Sequence, residues 1–432
     1  MKENDVTVMN KKNHSDFAAH PGSAGANGGN ACEGPTGANG GNTGECPDVK
    51  TALPPHGGDI YGAIATGGPE PLDFSANISP LGLPEGVRRS LAECADGFTR
   101  YPDPHCRVLR AALSEKHGTP QEFIVCGAGS ADLIFRAARA LRPNRALVTA
   151  PAFSEYERAA AEAGAAVSHF PLAYPGFAVT EDMCGAVTGM GLVFLCNRNN
   201  PTGVLTPRDT IIKILHACEK AGAILVVDEC FMDLTDETEA FTAEPLLAGH
   251  ENLIILKAFT KTYAMAGLRL GYALCGSASI AERIAGTGPP WSVSAPAQAA
   301  GLSALKEAAY LKELREMIKK ERGRLIAELS AIGAEVLGGS ANYVFFRITE
   351  ADRGISITEA GRGNRITEAS RGISLVEAGR IIGLAEALAA RGVLIRDCSN
   401  FIGLEDGTYF RAAVRLPEEN DIFLQAVKAE IS

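Results

Sequence analysis

The sequence predicts an α/β fold: a mostly parallel β-sheet covered by helices on both faces. Two observations carry this. From Phe123 onward, short apolar runs alternate with longer Ala-rich stretches of helical pattern. The polar residues able to do chemistry sit just after those runs, at the strand ends where ligands bind in such sheets. An apolar fraction of 46% in 432 residues is enough to bury a large core in one or two domains.

The predicted strands follow in chain order. Phe123-Ile124-Val125-Cys126 leads into Gly127-Ala128-Gly129-Ser130 and the helical stretch Ala131 to Leu141. Arg145-Ala146-Leu147-Val148 leads into Pro151 and Phe153, then the helical stretch Tyr156 to Ala163. Leu192-Val193-Phe194-Leu195 is followed by Asn199-Asn200-Pro201-Thr202-Gly203. Ile224-Leu225-Val226-Val227 ends on Asp228, and Leu253-Ile254-Ile255-Leu256 runs on to Thr260 and Lys261. Continuous rather than alternating apolarity is the mark of strands buried on both faces.

Two stretches stand apart. The first 50 residues are rich in Gly, Asn, Ala and Ser, with Gly-Ala-Asn-Gly-Gly-Asn at 25–30 repeated at 37–42. Such a segment cannot offset its ordering entropy and is expected to be a disordered tail. At about 348–383 a nine-residue unit recurs, Ile357-Thr358-Glu359-Ala360-Gly361-Arg362-Gly363 being one copy. It lacks the calcium signature of a β-helix, so a tandem duplication expanding a surface loop or helix start is expected.

The whole-chain balance narrows the function classes. A net charge of −10 argues against nucleic acid or an anionic membrane as partner. No apolar run approaches the ~18 residues that span a bilayer, and residues 1–30 lack the apolar core of a signal peptide. The eleven cysteines form no C-x-x-C pair, and Cys126, Cys196 and Cys230 fall in or beside apolar runs. Reduced buried thiols, no metal site and a cytoplasmic location are the expectation.

Lys261 carries the strongest chemical signal. A lysine ending a buried strand tends to pair or to lose its proton. A lysine of depressed pKa can form an imine with an aldehyde, and Arg269, eight positions on, can hold a phosphate. Pyridoxal 5′-phosphate (PLP) carries both groups. Asp228 is either a helix cap or the partner of a cation. Facing a pyridine nitrogen at about 4 Å, it would contribute roughly 4 kcal/mol at an effective dielectric of 20, or about three pKa units. Asn200 can donate to a phenolate oxygen or belong to an ordinary Asn-Pro turn. The turn at Gly129 and Ser130 offers free N–H groups to a phosphate, or merely joins strand to helix. Phe153 can stack on an aromatic ring or serve as core.

Together, Asn199 to Gly203, Val227-Asp228-Glu229, Thr260-Lys261 and Gly267-Leu268-Arg269-Leu270-Gly271-Tyr272 resemble, in order and spacing, the fold-type I PLP enzymes of the class I/II aminotransferase family. The resemblance runs from about Pro55 to the C-terminus. It implies a large domain with a mostly parallel seven-stranded sheet between helices and a smaller α+β domain. The boundaries would be 51–98 for an N-terminal segment and part of the small domain, 99–305 for the large PLP-binding domain, and 306–432 for the rest of the small domain. It implies Lys261 as the lysine that bonds the cofactor aldehyde, Asp228 at the pyridine nitrogen and Asn200 at the ring oxygen. Arg269, Thr260 and the Gly129–Ser130 backbone would hold the phosphate, with Phe153 stacked on the ring.

Further motifs are similar to the threonine-phosphate decarboxylase branch of that family, related to the histidinol-phosphate aminotransferases. These include His56-Gly57-Gly58-Asp59-Ile60-Tyr61, Asp73 to Pro80, Arg100 to Pro104, and Ile395 to Phe401. The branch implies PLP-dependent decarboxylation of L-threonine O-3-phosphate in cobalamin biosynthesis. The alternative is transamination of histidinol phosphate or an aromatic amino acid. Arg411 matches the arginine that grips the substrate carboxylate, and His56, Asn77 and Arg396 are expected on the substrate side. Tyr101 matches a tyrosine that reaches the neighbouring subunit's cofactor phosphate, which implies a homodimer. Three positions depart from the family pattern. Phe231 stands where aminotransferases usually place a tyrosine, which agrees with the decarboxylase branch. Ala258 lacks a hydroxyl many relatives use, and Arg198 replaces the usual proline. A PLP-binding regulator would need a DNA-binding module, and the first fifty residues show no helix-turn-helix pattern.

Overall fold

A computed structural model describes residues 56–65, 69–234, 238–348 and 383–431. The tail expected to be disordered and the nine-residue repeats lie outside these residues, apart from the flanking Ile348 and Gly383.

The first strand, β1 (Leu72–Asp73), is short. Seven strands then build the central sheet: β2 (Ile124–Gly127), β3 (Arg145–Ala150), β4 (Ala166–Pro171), β5 (Leu192–Cys196), β6 (Ile224–Asp228), β7 (Leu253–Ala258) and β8 (Gly271–Cys275). Their order is β2-β8-β7-β6-β5-β3-β4. The β3/β4, β3/β5, β5/β6 and β6/β7 pairs are parallel, and β8 is antiparallel to both neighbours. The fold class is therefore α/β with a mostly parallel sheet. Two strands fall outside the apolar runs read from sequence. β4 is an edge strand interrupted by Ser168 and His169, and β8 follows a turn whose last residue, Arg269, has φ +56°. The helix Ser130–Leu141 starts one residue earlier than its pattern suggested, and Lys261 lies in a one-turn helix, Phe259–Thr262, beyond the end of β7.

Along these strands alternate residues feed opposite faces. Leu147, Val193, Leu225, Ile255 and Leu274 pack into one buried cluster. Val148, Phe194, Val226, Ile254 and Ala273 pack into another. Five further strands follow: β9 (Glu335–Gly338), β10 (Tyr343–Arg347), β11 (Val393–Leu394), β12 (Arg396–Asp397) and β13 (Tyr409–Ala413). Four of them form an antiparallel sheet, β12-β13-β10-β9, while β11 pairs in parallel with β1. Phe74 joins Phe346, Phe410 and Phe423 in the core behind this sheet.

Charged residues also enter the apolar interior, and one group of them centres on a lysine. Lys257 on β7 is 2% exposed, and its Nζ meets Glu229 at 3.2 Å, Asp233 at 3.5 Å and Glu244 closer still. Burial alone would strip its proton, but the three carboxylates outweigh it and raise the pKa well above the usual lysine value. Glu229 also accepts from the Ala243 N–H at 2.6 Å and the Thr242 hydroxyl at 2.8 Å. Burial pushes the Glu244 carboxyl up, yet His117, 2.8 Å away, and Lys257 pull it down to about 2. The second His117 ring nitrogen lies 2.9 Å from the Tyr272 hydroxyl. The network thus ties three sheet strands to the helix Arg107–His117.

Removing one partner of a buried ion pair costs about 3–5 kcal/mol because the other charge is stranded. Lys257→Met is expected to lower unfolding stability by about that much, read from the shift in urea midpoint. A loss below about 1 kcal/mol would mean the carboxylates do not depend on this lysine.

Candidate active site

Parallel pairing in register places three chemical groups at one edge of the sheet. Cys196 lies opposite Asp228, and Asp228 opposite Leu256, so β5, β6 and β7 end in step. Asn200, Asp228 and Lys261 line one cavity of about 140 Å³ beyond those ends. Ser130 and Phe153 line it from the β2 and β3 sides. His56, Asn77, Arg396 and Arg411 close it from the chain start and the smaller sheet. Nine of the thirteen residues singled out in the sequence thus share this cavity.

Asp228 is 6% exposed, and the Tyr156 hydroxyl donates to its Oδ2 at 2.7 Å. The Cys230 N–H donates to its Oδ1 at 2.9 Å. Two donors fix the carboxylate and leave further lone pairs for a cation in the cavity. Tyr156 is itself fixed by stacking on Phe194 at 5.2 Å and by an edge contact with Phe153 at 5.6 Å. Its burial, together with the Asp228 charge, raises the phenol pKa, so it stays a donor.

Lys261 is half-buried, with its Nζ 6.0 Å from the centre of the Phe231 ring. Burial first, and the neighbouring Arg411 cation second, lower its pKa from 10.5 to about 8. Arg411 is 6% exposed; it donates from Nη2 to the Ser75 carbonyl at 2.6 Å and from Nη1 to Asn200 Oδ1. With Oδ1 occupied, Asn200 offers its Nδ2 as donor to the cavity. Arg396 lies directly across from Arg411 in the β12/β13 ladder and donates to Asn400 Oδ1 at 2.6 Å. Arg411 Nε and Asn77 Oδ1 are buried with no hydrogen-bond partner among the described residues. His56 Nε2 lies 2.8 Å from Glu155 Oε1, with its ring 5.4 Å from that of Phe153.

Four sequence candidates do not line the cavity. Gly129 lies behind Ser130 with φ +91°, and a Cβ there would come within 2.8 Å of Arg269 Nη2. That close approach seats the exposed Arg269 beside the start of the helix Ser130–Leu141, which has no side-chain cap. Thr260 is 6% exposed, next to Lys261. Tyr101 is 80% exposed, stacked on Trp291 at 4.6 Å. Sequence reasoning assigned no role to Tyr156, Cys230 or Ser75. Tyr156 lies in the helical stretch read from sequence, the helix Glu155–Glu162, but nothing in that pattern pointed to Asp228.

The donor set fits PLP on chemical grounds. A buried carboxylate with spare lone pairs suits a pyridinium, an amide donor suits the ring oxygen, and an uncapped helix start beside an arginine suits a phosphate dianion. A lysine with a pKa of about 8 suits an aldehyde. The unpartnered Arg411 Nε and Asn77 Oδ1 suit a polar substrate held alongside.

Comparison with known proteins agrees. The family profile described as Aminotransferase class I and II matches residues 69–427. A threonine-phosphate decarboxylase of Salmonella typhimurium is 33% identical over 379 residues, covering 86% of this chain and 95% of the relative. A histidinol-phosphate aminotransferase of Cupriavidus pinatubonensis is 29% identical over 361 residues, covering 83% and 87%. The solved histidinol-phosphate aminotransferase of Clostridium acetobutylicum superposes with a TM-score of 0.71 at 28% identity, covering 83% of this chain and 99% of that one.

Two outcomes follow from the geometry. In cofactor-free protein, reductive methylation of Lys261 should rise through an inflection near pH 8, since the neutral amine reacts and dominates above that value. An inflection at 10.5, the ordinary value, would contradict the effect of burial and Arg411. Tyr156→Phe removes a hydrogen bond to a charged group, worth about 1.5–3 kcal/mol. Cofactor affinity should fall about tenfold or more, and equilibrium dialysis showing no change would contradict a role in orienting Asp228.

Proposed function

The chain belongs to the class I and II aminotransferase family, whose members are PLP-dependent enzymes, and we propose that it decarboxylates L-threonine O-3-phosphate to (R)-1-aminopropan-2-yl phosphate, for cobalamin biosynthesis. The observation that carries this reading is the pair Arg396 and Arg411, side by side on adjacent strands at one wall of the cavity. Two guanidinium groups suit a substrate with two anionic ends, a carboxylate and a phosphate. Histidinol phosphate has no carboxylate.

PLP, when bound, supplies an aldehyde for the substrate amine and a cationic ring that takes up the electron pair of the breaking bond. The rest is the work of the chain. Asp228 would hold a proton at the ring nitrogen, and Asn200 Nδ2 would donate to the ring oxygen. Gly129, Ser130, Thr260 and Arg269 would hold the cofactor phosphate, and Phe153 would pack on the ring. Arg411 grips the substrate carboxylate through its guanidinium, while Arg396, with His56 and Asn77, holds the phosphate end. This fixes which substituent of Cα is set to leave, and orientation alone separates decarboxylation from proton removal. Lys261 Nζ, poised by its pKa of about 8, carries the proton that Cα takes up after carbon dioxide departs. The enzyme is cytoplasmic and a homodimer in this reading, with the exposed Tyr101 reaching the neighbouring subunit's cofactor phosphate. Among the described residues, no helix is long and apolar enough to cross a membrane.

The second reading, amino-group transfer, has support from the similarity to histidinol-phosphate aminotransferases. Phe231 weighs against it, since an aromatic ring with no hydroxyl faces Lys261. The deciding assay incubates PLP-loaded enzyme with L-threonine O-3-phosphate and no amino acceptor. Carbon dioxide release equal to substrate consumed is expected, and Lys261→Ala should abolish it. Turnover of histidinol phosphate dependent on 2-oxoglutarate, with no carbon dioxide released from threonine phosphate, would overturn the proposal.

A further inference from the structure

At the end of the sheet opposite the cavity lies a cluster with no part in the chemistry above. His216 and Glu219 sit three residues apart near the end of the helix Arg208–Ala221, a spacing that puts both on one face. His250 comes from the turn that precedes β7. Every pair among one ligand atom from each of the three residues lies within 4.8 Å. Among the described residues, this is the one group of three His, Cys, Asp or Glu side chains that converges in this way. We propose that His216, Glu219 and His250 bind one divalent transition ion of the zinc type.

Three features support this. First, the ligand set is two imidazoles and a carboxylate, which suits zinc, cobalt or nickel, whereas magnesium and calcium take oxygen ligands. Three protein ligands with a water at the fourth position complete a tetrahedron. His216 and Glu219 are exposed and His250 is half-buried, so water has access. Second, the two elements are tied together independently of the cluster. Asn252 Nδ2 donates to the Ala223 carbonyl at 3.0 Å, fastening the turn to the residue after the helix cap Gly222. The Gly276 N–H donates to the Leu253 carbonyl at 2.8 Å, and a Cβ on Gly276 would strike the His250 carbonyl at 1.9 Å, so the turn is closely packed. The donors are therefore pre-positioned, and the ion need not order a loop to bind. Third, the carbonyls at the helix C-terminus carry partial negative charge that favours a cation there.

The side chains need only small rotations to close on an ion. The His216 and His250 rings are 5.5 Å apart at 47°, tilted rather than stacked. Zinc–nitrogen bonds of ~2.0–2.1 Å would draw their donors closer. His250 Nδ1 is 2.7 Å from Glu219 Oε1, a contact in which the ion would take the place of a shared proton. His250 stands three residues before β7, and Lys261 three residues after it. The ion would thus clip the helix to the start of the strand whose far end, roughly 20 Å away, leads to the catalytic lysine.

The test uses full-length, PLP-loaded, reduced enzyme stripped of metal with a chelator. Zinc is titrated calorimetrically, alongside His216→Ala and His250→Ala variants. One saturable equivalent per chain is expected in the parent, with affinity falling at least ~10-fold in each variant, the lower end of what even an outer partner of a metal ligand contributes. Zinc should raise the melting temperature of the parent and not of the variants, while magnesium should not compete. Unchanged cofactor absorbance and circular dichroism in the variants would confine the loss to the cluster. Equal zinc affinity in parent and variants, no saturable equivalent in the parent, or displacement by magnesium would each overturn the proposal.

Discussion

The in-step parallel pairing of β5, β6 and β7 is the constraint on which the candidate site depends. Asn200, Asp228 and Lys261 are far apart in sequence and share a cavity because Cys196, Asp228 and Leu256 stand level in the ladder. A slip of one residue would exchange the two faces of a strand. On β6 that would turn Asp228 away from the cavity and bring Glu229 into its place. The apolar residues on both faces oppose such a slip, since each face packs into its own buried cluster. Core packing and site assembly are therefore one problem, solved by the same register.

Charge is sorted by face as well. The cavity gathers Lys261, Arg396 and Arg411 in a chain whose net charge is −10. The other face of β6 and β7 gathers Glu229, Asp233 and Glu244 around Lys257. The cavity thus has a local cationic wall against the overall charge, which is the condition the composition had set for any anionic ligand.

Much of this was legible in the sequence, for physical reasons that differ by element. β2, β3, β5, β6 and β7 were readable because burial on both faces leaves an unbroken apolar run. β4 escaped because an edge strand tolerates Ser168 and His169, and β8 because it opens on Gly271 just after the turn at Arg269. The family motifs led to the fold class and the cofactor, both of which the comparisons bear out. Of the nine candidates on one cavity, Ser130, Asn200, Asp228 and Lys261 were legible as polar residues at strand ends, whereas His56, Asn77, Arg396 and Arg411 came from the family resemblance. What stayed hidden was the support behind them. Tyr156 and Cys230 act on Asp228 through contacts that span the sheet or lie in the backbone, and neither leaves a periodic trace. The position of Arg269 behind Gly129 needed the third dimension too, as did the outward placing of Tyr101.

The two lysines at 257 and 261 carry a more general consequence. They lie four residues apart, Lys257 fully buried and Lys261 half-buried, yet the deeper one is driven toward permanent charge and the other toward neutrality. Depth is thus a poor guide to reactivity. The number of carboxylates within reach decides the outcome, so a lysine can be turned from strut to nucleophile by changing its neighbours while its backbone stays where it is.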